Sequence, residues 1–183
     1  MSRRKEGGLI GRRFLRNLKS EIVKKKRIIF GLGSNLGDRN FYLSEAVREL
    51  ENQLLLTDPK KSNIFKNPAW LLPDSPPHWD REFFNIAFSA NVDLQKFPPE
   101  KILKIVQKIE KKLGRKISQK WAPREIDIDI LAIENLKITI GETLIIPHYD
   151  LLNRDFFLKT IMEIEPKFLR ACLKSSDCDE RLA

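Results

Sequence analysis

The residues 126–131, Ile-Asp-Ile-Asp-Ile-Leu, alternate strictly between apolar and acidic side chains. That alternation predicts a strand with Asp127 and Asp129 on one face and an apolar row on the other. Same-side residues on a strand stand about 6.5–7 Å apart. Two carboxylates at that separation can converge on a pair of Mg²⁺ ions about 3.5–4 Å from each other. Two-metal phosphoryl transfer is the first chemistry the chain suggests, and a solvated amphipathic strand is the plain alternative. The neighbouring segments decide between them.

Just upstream, residues 114–124 are basic and polar and contain Trp121. A loop of that charge beside two carboxylates can fold over a triphosphate, with Arg115 and Arg124 neutralising what metals leave uncovered. It can equally be a connector whose cations balance the two aspartates. Downstream, Pro147-His148-Tyr149-Asp150 is followed by Asn153-Arg154-Asp155-Phe156. His148 and Tyr149 can donate to phosphate oxygens, and the Arg154 guanidinium can fork onto them. With two histidines in the chain and no Ser-His-Asp or Cys-His pairing in view, a nucleophilic triad is not indicated. Gly31, Gly33 and Gly37 are spaced one residue too widely for a dinucleotide fingerprint, and no Gly-Lys-Ser/Thr follows. They read as a structural turn between a strand and a helix.

The elements that must carry these groups follow from patterning. Residues 28–33 read as a buried strand, and 34–38 as turn and cap residues before a helix running to about Leu56, with Leu43, Ala46, Val47, Leu50 and Leu54 as its apolar stripe. A second strand is predicted near 62–66, a long proline-rich loop over 67–81, and a third strand over 83–92. Pro98 and Pro99 open a helix whose stripe is Ile102, Val106, Ile109 and Leu113, ended by Gly114. The aspartate strand, a hairpin over 137–146 and a helix over about 154–163 complete the series. The order β-α-β-β-α-β, with a C-terminal hairpin and helix, predicts an α+β ferredoxin-like core: a mixed or antiparallel sheet with helices on one face. That architecture hosts many activities, so it does not itself assign one.

Composition sets limits. With 183 residues, 42% of them hydrophobic, one domain can bury a full core. No stretch approaches the ~18–20 apolar residues of a membrane span. Cys172 and Cys178 lie close together in a polar tail, which excludes a disulfide framework and fits a reducing cytoplasm. Residues 1–27 hold eleven basic groups against Glu6 and Glu21 and so carry the whole net charge of +9. The expected division is a basic extension over 1–26, flexible or a short amphipathic helix through Leu9, Ile10, Phe14, Leu15, Leu18, Ile22 and Val23, then a catalytic domain over 27–166 and a polar tail over 167–183.

Taken together, Trp121-Ala122-Pro123-Arg124-Glu125-Ile126-Asp127-Ile128-Asp129, then Pro147-His148-Tyr149-Asp150 and Asn153-Arg154-Asp155-Phe156, closely resemble the signature of the 6-hydroxymethyl-7,8-dihydropterin pyrophosphokinases of folate synthesis. Gly31-Leu32-Gly33-Ser34-Asn35-Leu36-Gly37 and Phe83-Phe84-Asn85 also match that family. The resemblance covers about residues 27–166. It implies that Asp127 and Asp129 hold two Mg²⁺ ions bridging the phosphates of ATP, and that the hydroxymethyl oxygen of the dihydropterin attacks the β-phosphorus and expels AMP. Arg115, Arg124 and Arg154 would stabilise the transferring group; no general base is evident. Gln107, Glu110, Trp121, Ile130, His148 and Tyr149 would contact ATP. Phe83 and Phe156 would sandwich the pterin, Asn85 would read its polar edge, and Trp121 and Asp127 would complete its site.

The chain also departs from the family. Ala122 stands where a glycine is usual, the loop between Gly114 and Trp121 has a single arginine with Lys116 as a loose substitute for a second, and the proline-rich loop is long, with Trp70 and Leu71 as candidates to cover the pterin. Two other classes stay open: a ferredoxin-like RNA-binding module with a basic arm, and a domain acting only within an assembly of folate enzymes. An RNP1-type strand, with its basic and glycine positions, is missing from 84–88, so no nucleic-acid partner and no membrane partner are expected.

Overall fold

The computed structural model describes residues 25–116 and 121–175. The leader, including the helix predicted through Leu9 to Val23, falls outside them, as do residues 117–120 and 176–183.

Strand β1 (Lys25–Ser34) is the centre of the sheet, flanked by β4 (Phe83–Asp93) on one side and β5 (Asp127–Ile133) on the other. β2 (Thr57–Lys61) and β3 (Phe65–Asn67) both pair with β4, and every pairing is antiparallel. The order across the sheet is β2-β4-β1-β5, and β6 (Ile138–Ile140) and β7 (Leu144–Ile146) form a separate hairpin. β1 begins at Lys25, inside the stretch expected to be extension, because Lys25, Lys26 and Arg27 pair with Asp93, Val92 and Asn91.

Alternation divides the central strands. Ile28, Phe30 and Leu32 of β1 point with Ile128 and Ile130 of β5 into the main core, where helices α1 (Arg39–Leu54) and α2 (Pro99–Lys112) cover the sheet. Phe30 stacks on Phe88 at 6.4 Å between ring centroids, and Leu50, Leu54, Ile102 and Ile109 close the layer. The Asp38 side chain accepts a hydrogen bond from the Phe41 N–H at 3.0 Å, capping α1 as its position before the apolar stripe requires. Gly114, at φ 101°, ends α2 in a backbone region that other residues rarely adopt.

Helices lie on both faces rather than one. The second face carries α3 (Asp155–Ile164) and α4 (Pro166–Ser175), with Phe157, Ile161 and Leu169 packed against Ile29, Ala87 and Leu131. Helix α4 lies where a polar tail was expected, and the burial of Leu169 is what holds it to the sheet. At the α3–α4 junction Glu165 accepts from Arg27 Nε at 2.6 Å and from Ser89 Oγ at 3.0 Å, fixing the pair of helices to β1 and β4. Each ion also has a second partner, Asp58 for Arg27 at 2.9 Å and Lys60 for Glu165 at 3.0 Å, so the pair belongs to a small network.

The strand predicted near 62–66 is the shorter β3, and a further edge strand, β2, lies ahead of it. Ser62 separates the two: its hydroxyl accepts from the Ala87 N–H, and its own N–H goes to the Ala87 carbonyl. β2, Thr-Asp-Pro-Lys-Lys, is exposed along its whole length and shows no apolar alternation, as befits a charged edge strand.

Candidate functional site

On the second face, Asp127 stands directly across from Gly33, and Asp129 across from Gly31. The carboxylates thus project from β5 on one side, as the alternation predicts, beside two strand positions that bear no side chain. The glycines are not turn residues here: both lie within β1, and only Gly37, at φ 65°, makes the turn. A Cβ on Gly31 would meet Phe157 Cε1 at 2.7 Å, and one on Gly33 would meet Asn85 Oδ1 at 2.8 Å. The sheet floor is bare because anything larger would collide, and above it opens a cleft of about 1000 Å³.

Asp127 is held by two arginines. Arg115 Nη1 lies 2.6 Å from its Oδ1, and Arg124 Nη1 lies 2.9 Å from its Oδ2. Arg115 also pairs with Glu110, whose Oε1 accepts the Ile128 N–H at 2.8 Å, so one buried carboxylate joins α2, the loop and β5. Burial pushes the Glu110 carboxyl up to about 7, with Asp127 adding to the rise and Arg115 opposing it. Arg124 is anchored through its backbone by Asn35: the Arg124 N–H donates to Asn35 Oδ1 at 2.8 Å, and the Asn35 N–H donates to the Arg124 carbonyl at 3.2 Å.

Asp129 lies two residues further along the same face of β5. Burial raises its carboxyl to about 7, and the neighbouring Asp127 charge pushes the same way. His148 Nε2 is 4.0 Å from Asp129 Oδ1. Its Nδ1 accepts from the Asp150 N–H at 3.2 Å, which leaves the proton on Nε2, and burial together with Arg154 lowers its pKa, so it is a neutral donor at pH 7. Asp150 receives Arg154 Nε at 3.1 Å and Nη2 at 2.9 Å, which fixes the guanidinium at the N-terminus of α3.

Aromatic side chains also line the cleft: Phe83, Phe156 and Phe157, together with the Asn85 carboxamide, which is 5% exposed. Trp121, at φ 74°, stacks on Trp70 of the proline-rich loop at 5.9 Å and 29° between planes. That loop contains one short 3₁₀ turn, Pro77–Trp79.

Of the residues singled out in the sequence, Arg115, Trp121, Arg124, Asp127 and Asp129 line the cleft, as do His148, Tyr149, Arg154, Phe83, Asn85 and Phe156. Three do not. The Ile130 side chain is buried in the main core on the opposite face of β5, because it is one residue out of phase with the aspartates. Gln107 is exposed on α2 and Glu110 is buried and paired with Arg115, and neither is among the residues lining the cleft. Sequence reasoning passed over Gly31 and Gly33 as floor, Asn35 as the anchor of Arg124, and Asn67, which also lines the cleft. The cross-strand register of β1 and β5 is the signal that would have exposed the glycines.

Among the described residues no group of three or more His, Cys, Asp or Glu side chains could enclose a metal ion. Two hard carboxylates on one face, open to a cleft lined by arginines, still suit Mg²⁺, which commonly takes one or two carboxylates and completes its shell with water and substrate phosphates. Asp129 is consistent with this: two adjacent carboxylates in a poorly hydrated place favour a nearby cation.

Residues 29–166 match the family model described as 7,8-dihydro-6-hydroxymethylpterin-pyrophosphokinase (HPPK). The chain belongs to the HPPK family. Among its relatives is the 2-amino-4-hydroxy-6-hydroxymethyldihydropteridine pyrophosphokinase of Aquifex aeolicus, 39% identical over 142 residues, spanning 78% of this chain and 82% of that protein. The enzyme of the same name from Methylorubrum extorquens is 34% identical over 76% of this chain and 83% of its own length. A "Folate synthesis bifunctional protein" of Chlamydia muridarum is 36% identical over 76% of this chain, which spans 30% of it. Among solved structures, Plasmodium falciparum HPPK-DHPS with pterin and p-hydroxybenzoate aligns at a TM-score of 0.54 and 14% identity, over 79% of this HPPK chain and 40% of that one. At that identity the likeness speaks for the fold, a mixed α/β arrangement on an antiparallel sheet. No helix among the described residues is long and apolar enough to cross a membrane.

Proposed function

We propose that this cleft is where the chain carries out the reaction of its family: transfer of pyrophosphate from ATP to the 6-hydroxymethyl group of 6-hydroxymethyl-7,8-dihydropterin, giving the pterin diphosphate and AMP in folate biosynthesis. One observation carries the reading: Asp127 and Asp129 rise from the same face of β5 opposite two glycines, within a cleft lined by both arginines and aromatic side chains.

The polar and the aromatic lining residues have different tasks. Asp127 and Asp129 would hold two Mg²⁺ ions, which when bound neutralise phosphate charge and align the triphosphate. Arg115 and Arg124, both within reach of Asp127, would stabilise the charge on the transferring phosphate in the transition state. His148, Tyr149 and Arg154 bind the nucleotide from the α3 side. Phe83 and Phe156 hold the flat pterin, and Asn85 reads its edge. Trp121, linked to Trp70, closes over both substrates and excludes water. No side chain stands out as a base, so the chain's contribution is to place the hydroxymethyl oxygen in line with the β-phosphorus.

The same reading covers three wider points. The order β2-β4-β1-β5 with two crossover helices supports the ferredoxin-like description of the core. Bifunctional relatives support association with other folate enzymes, and a cytoplasmic location belongs to the same proposal. Family membership does not favour an RNA-binding module.

The product decides the matter. Incubated with ATP, Mg²⁺ and the dihydropterin, the chain is expected to release AMP and the pterin diphosphate in equal amounts. ADP would mean attack on the wrong phosphorus, and no turnover by the isolated chain would move the activity to an assembly.

A further inference from the structure

Asn67, the last residue of β3, is half-buried on the cleft wall beside Phe83, its partner in the β3–β4 ladder. Its carboxamide bridges two groups. Its Nδ2 donates to the Pro68 carbonyl at 2.8 Å, and its Oδ1 accepts from Asn85 Nδ2 at 2.5 Å. The first bond sets the direction of the second, since turning the Asn67 amide over would place its oxygen against the Pro68 oxygen.

The same logic passes to Asn85. With its Nδ2 given to Asn67, its Oδ1 is turned away, into the space above Gly33 that a Cβ at that position would fill. Among the described residues no donor reaches that oxygen, although Asn85 as a whole is only 5% exposed. A nearly buried acceptor pointing at a ligand cleft is satisfied when the ligand brings an N–H.

We propose that Asn67 is a specificity-determining positioning residue: by accepting from Asn85 Nδ2 it fixes Asn85 Oδ1 toward the cleft, so that the site selects a heterocycle edge presenting an N–H donor. This rests on the reading of Asn85 as a pterin contact. It adds the reason that an amide, able to face either way, faces one way. Free rotation of Asn85 would present donor and acceptor alike and weaken the choice. A site built to hydrogen-bond a donor rejects an analogue lacking it, because its own polar group is then left unpaired.

The test uses three variants of the full chain, with calorimetric affinity for 6-hydroxymethyl-7,8-dihydropterin in the presence of Mg²⁺ and a non-hydrolysable ATP analogue, and KM for each substrate. Asn67→Leu keeps the bulk and removes the acceptor. It is expected to weaken dihydropterin binding by about tenfold and raise its KM correspondingly, with a much smaller change in KM for ATP. Asn67→Asp keeps an acceptor for Asn85, although it gives up the bond to the Pro68 carbonyl, and should recover most of the loss, to within about threefold of the parent. Asn85→Ala reports on the underlying reading: if it leaves dihydropterin affinity unchanged, the pterin assignment itself falls. If Asn85→Ala weakens binding but Asn67→Leu does not, or if Asn67→Asp is as weak as Asn67→Leu, the pterin assignment stands and the role of Asn67 is overturned. Equal losses for ATP and dihydropterin in Asn67→Leu also overturn it, as the mark of a generally disturbed cleft. Circular dichroism of all three, matched to the parent, identifies loss of fold as the cause where it occurs and transfers the decision to Asn67→Asp, whose side chain has the same size.

Discussion

Arg115 Nη1 lies 2.6 Å from Asp127 Oδ1, so a carboxylate proposed to hold metal is already neutralised by a cation of the protein. Metal and guanidinium compete for the same oxygen. Arg115→Gln is therefore expected to bind Mn²⁺ alone several-fold more tightly than the parent, read by electron paramagnetic resonance without nucleotide. The same variant should lose about 10²–10³-fold in kcat, because the group proposed to stabilise the transferring phosphate is gone. Unchanged metal affinity together with unchanged kcat would remove Arg115 from the site.

The floor glycines give a second prediction. Gly33→Ala places a methyl 2.8 Å from where Asn85 Oδ1 now lies, and the backbone cannot retreat in a central strand. Displacement of the amide should weaken dihydropterin binding at least about tenfold, while overpacking costs about 1–3 kcal/mol of stability in a denaturant titration. Tight dihydropterin binding by Gly33→Ala would show that the floor is not part of the pterin site.

This pair of glycines also marks how far the sequence could be read. The aspartate strand, both stripe-bearing helices and the two downstream polar segments were legible, because each depends on local periodicity or on capping residues such as Asp38 and Gly114. What faces what across strands was not. That Gly31 lies opposite Asp129 is a matter of register over about a hundred residues of chain, and a G-x-G read alone resembles a turn. The division of β2 from β3 was hidden because an edge strand needs no apolar face, and Ser62 ends it through a side-chain bond that carries no periodic signature. Ile130 was assigned to the nucleotide through resemblance alone, yet the alternation that placed Asp127 and Asp129 together already places Ile130 on the other face.

Glu110 supplies a pH dependence. Its carboxyl is raised from an ordinary 4.5 to about 7 by burial, so the folded state holds the proton more strongly than the unfolded chain. Its contribution is therefore unfavourable once pH exceeds the unfolded value, grows through that window and is complete above about 7. Stability of the metal-free chain should fall between pH 5 and pH 7.5, and Glu110→Gln, which keeps an acceptor for the Ile128 N–H, should lessen that fall by about 1–2 kcal/mol in urea titrations at the two pH values. Asp129 is shifted in the same direction, and the Glu110 charge is one cause of that shift, so the variant lessens both contributions together. An identical pH slope in parent and variant would contradict this account of Glu110.

The central claim is that Asp127 and Asp129 tether the nucleotide through divalent cations. Its most direct test is calorimetry of a non-hydrolysable ATP analogue with Mg²⁺ and with chelator, in the parent, Asp127→Ala and Asp129→Ala. The account predicts at least about tenfold tighter binding with Mg²⁺ in the parent, and no such difference in either variant. Equal affinity with and without the metal in the parent, or a full Mg²⁺ effect surviving in both variants, would contradict it.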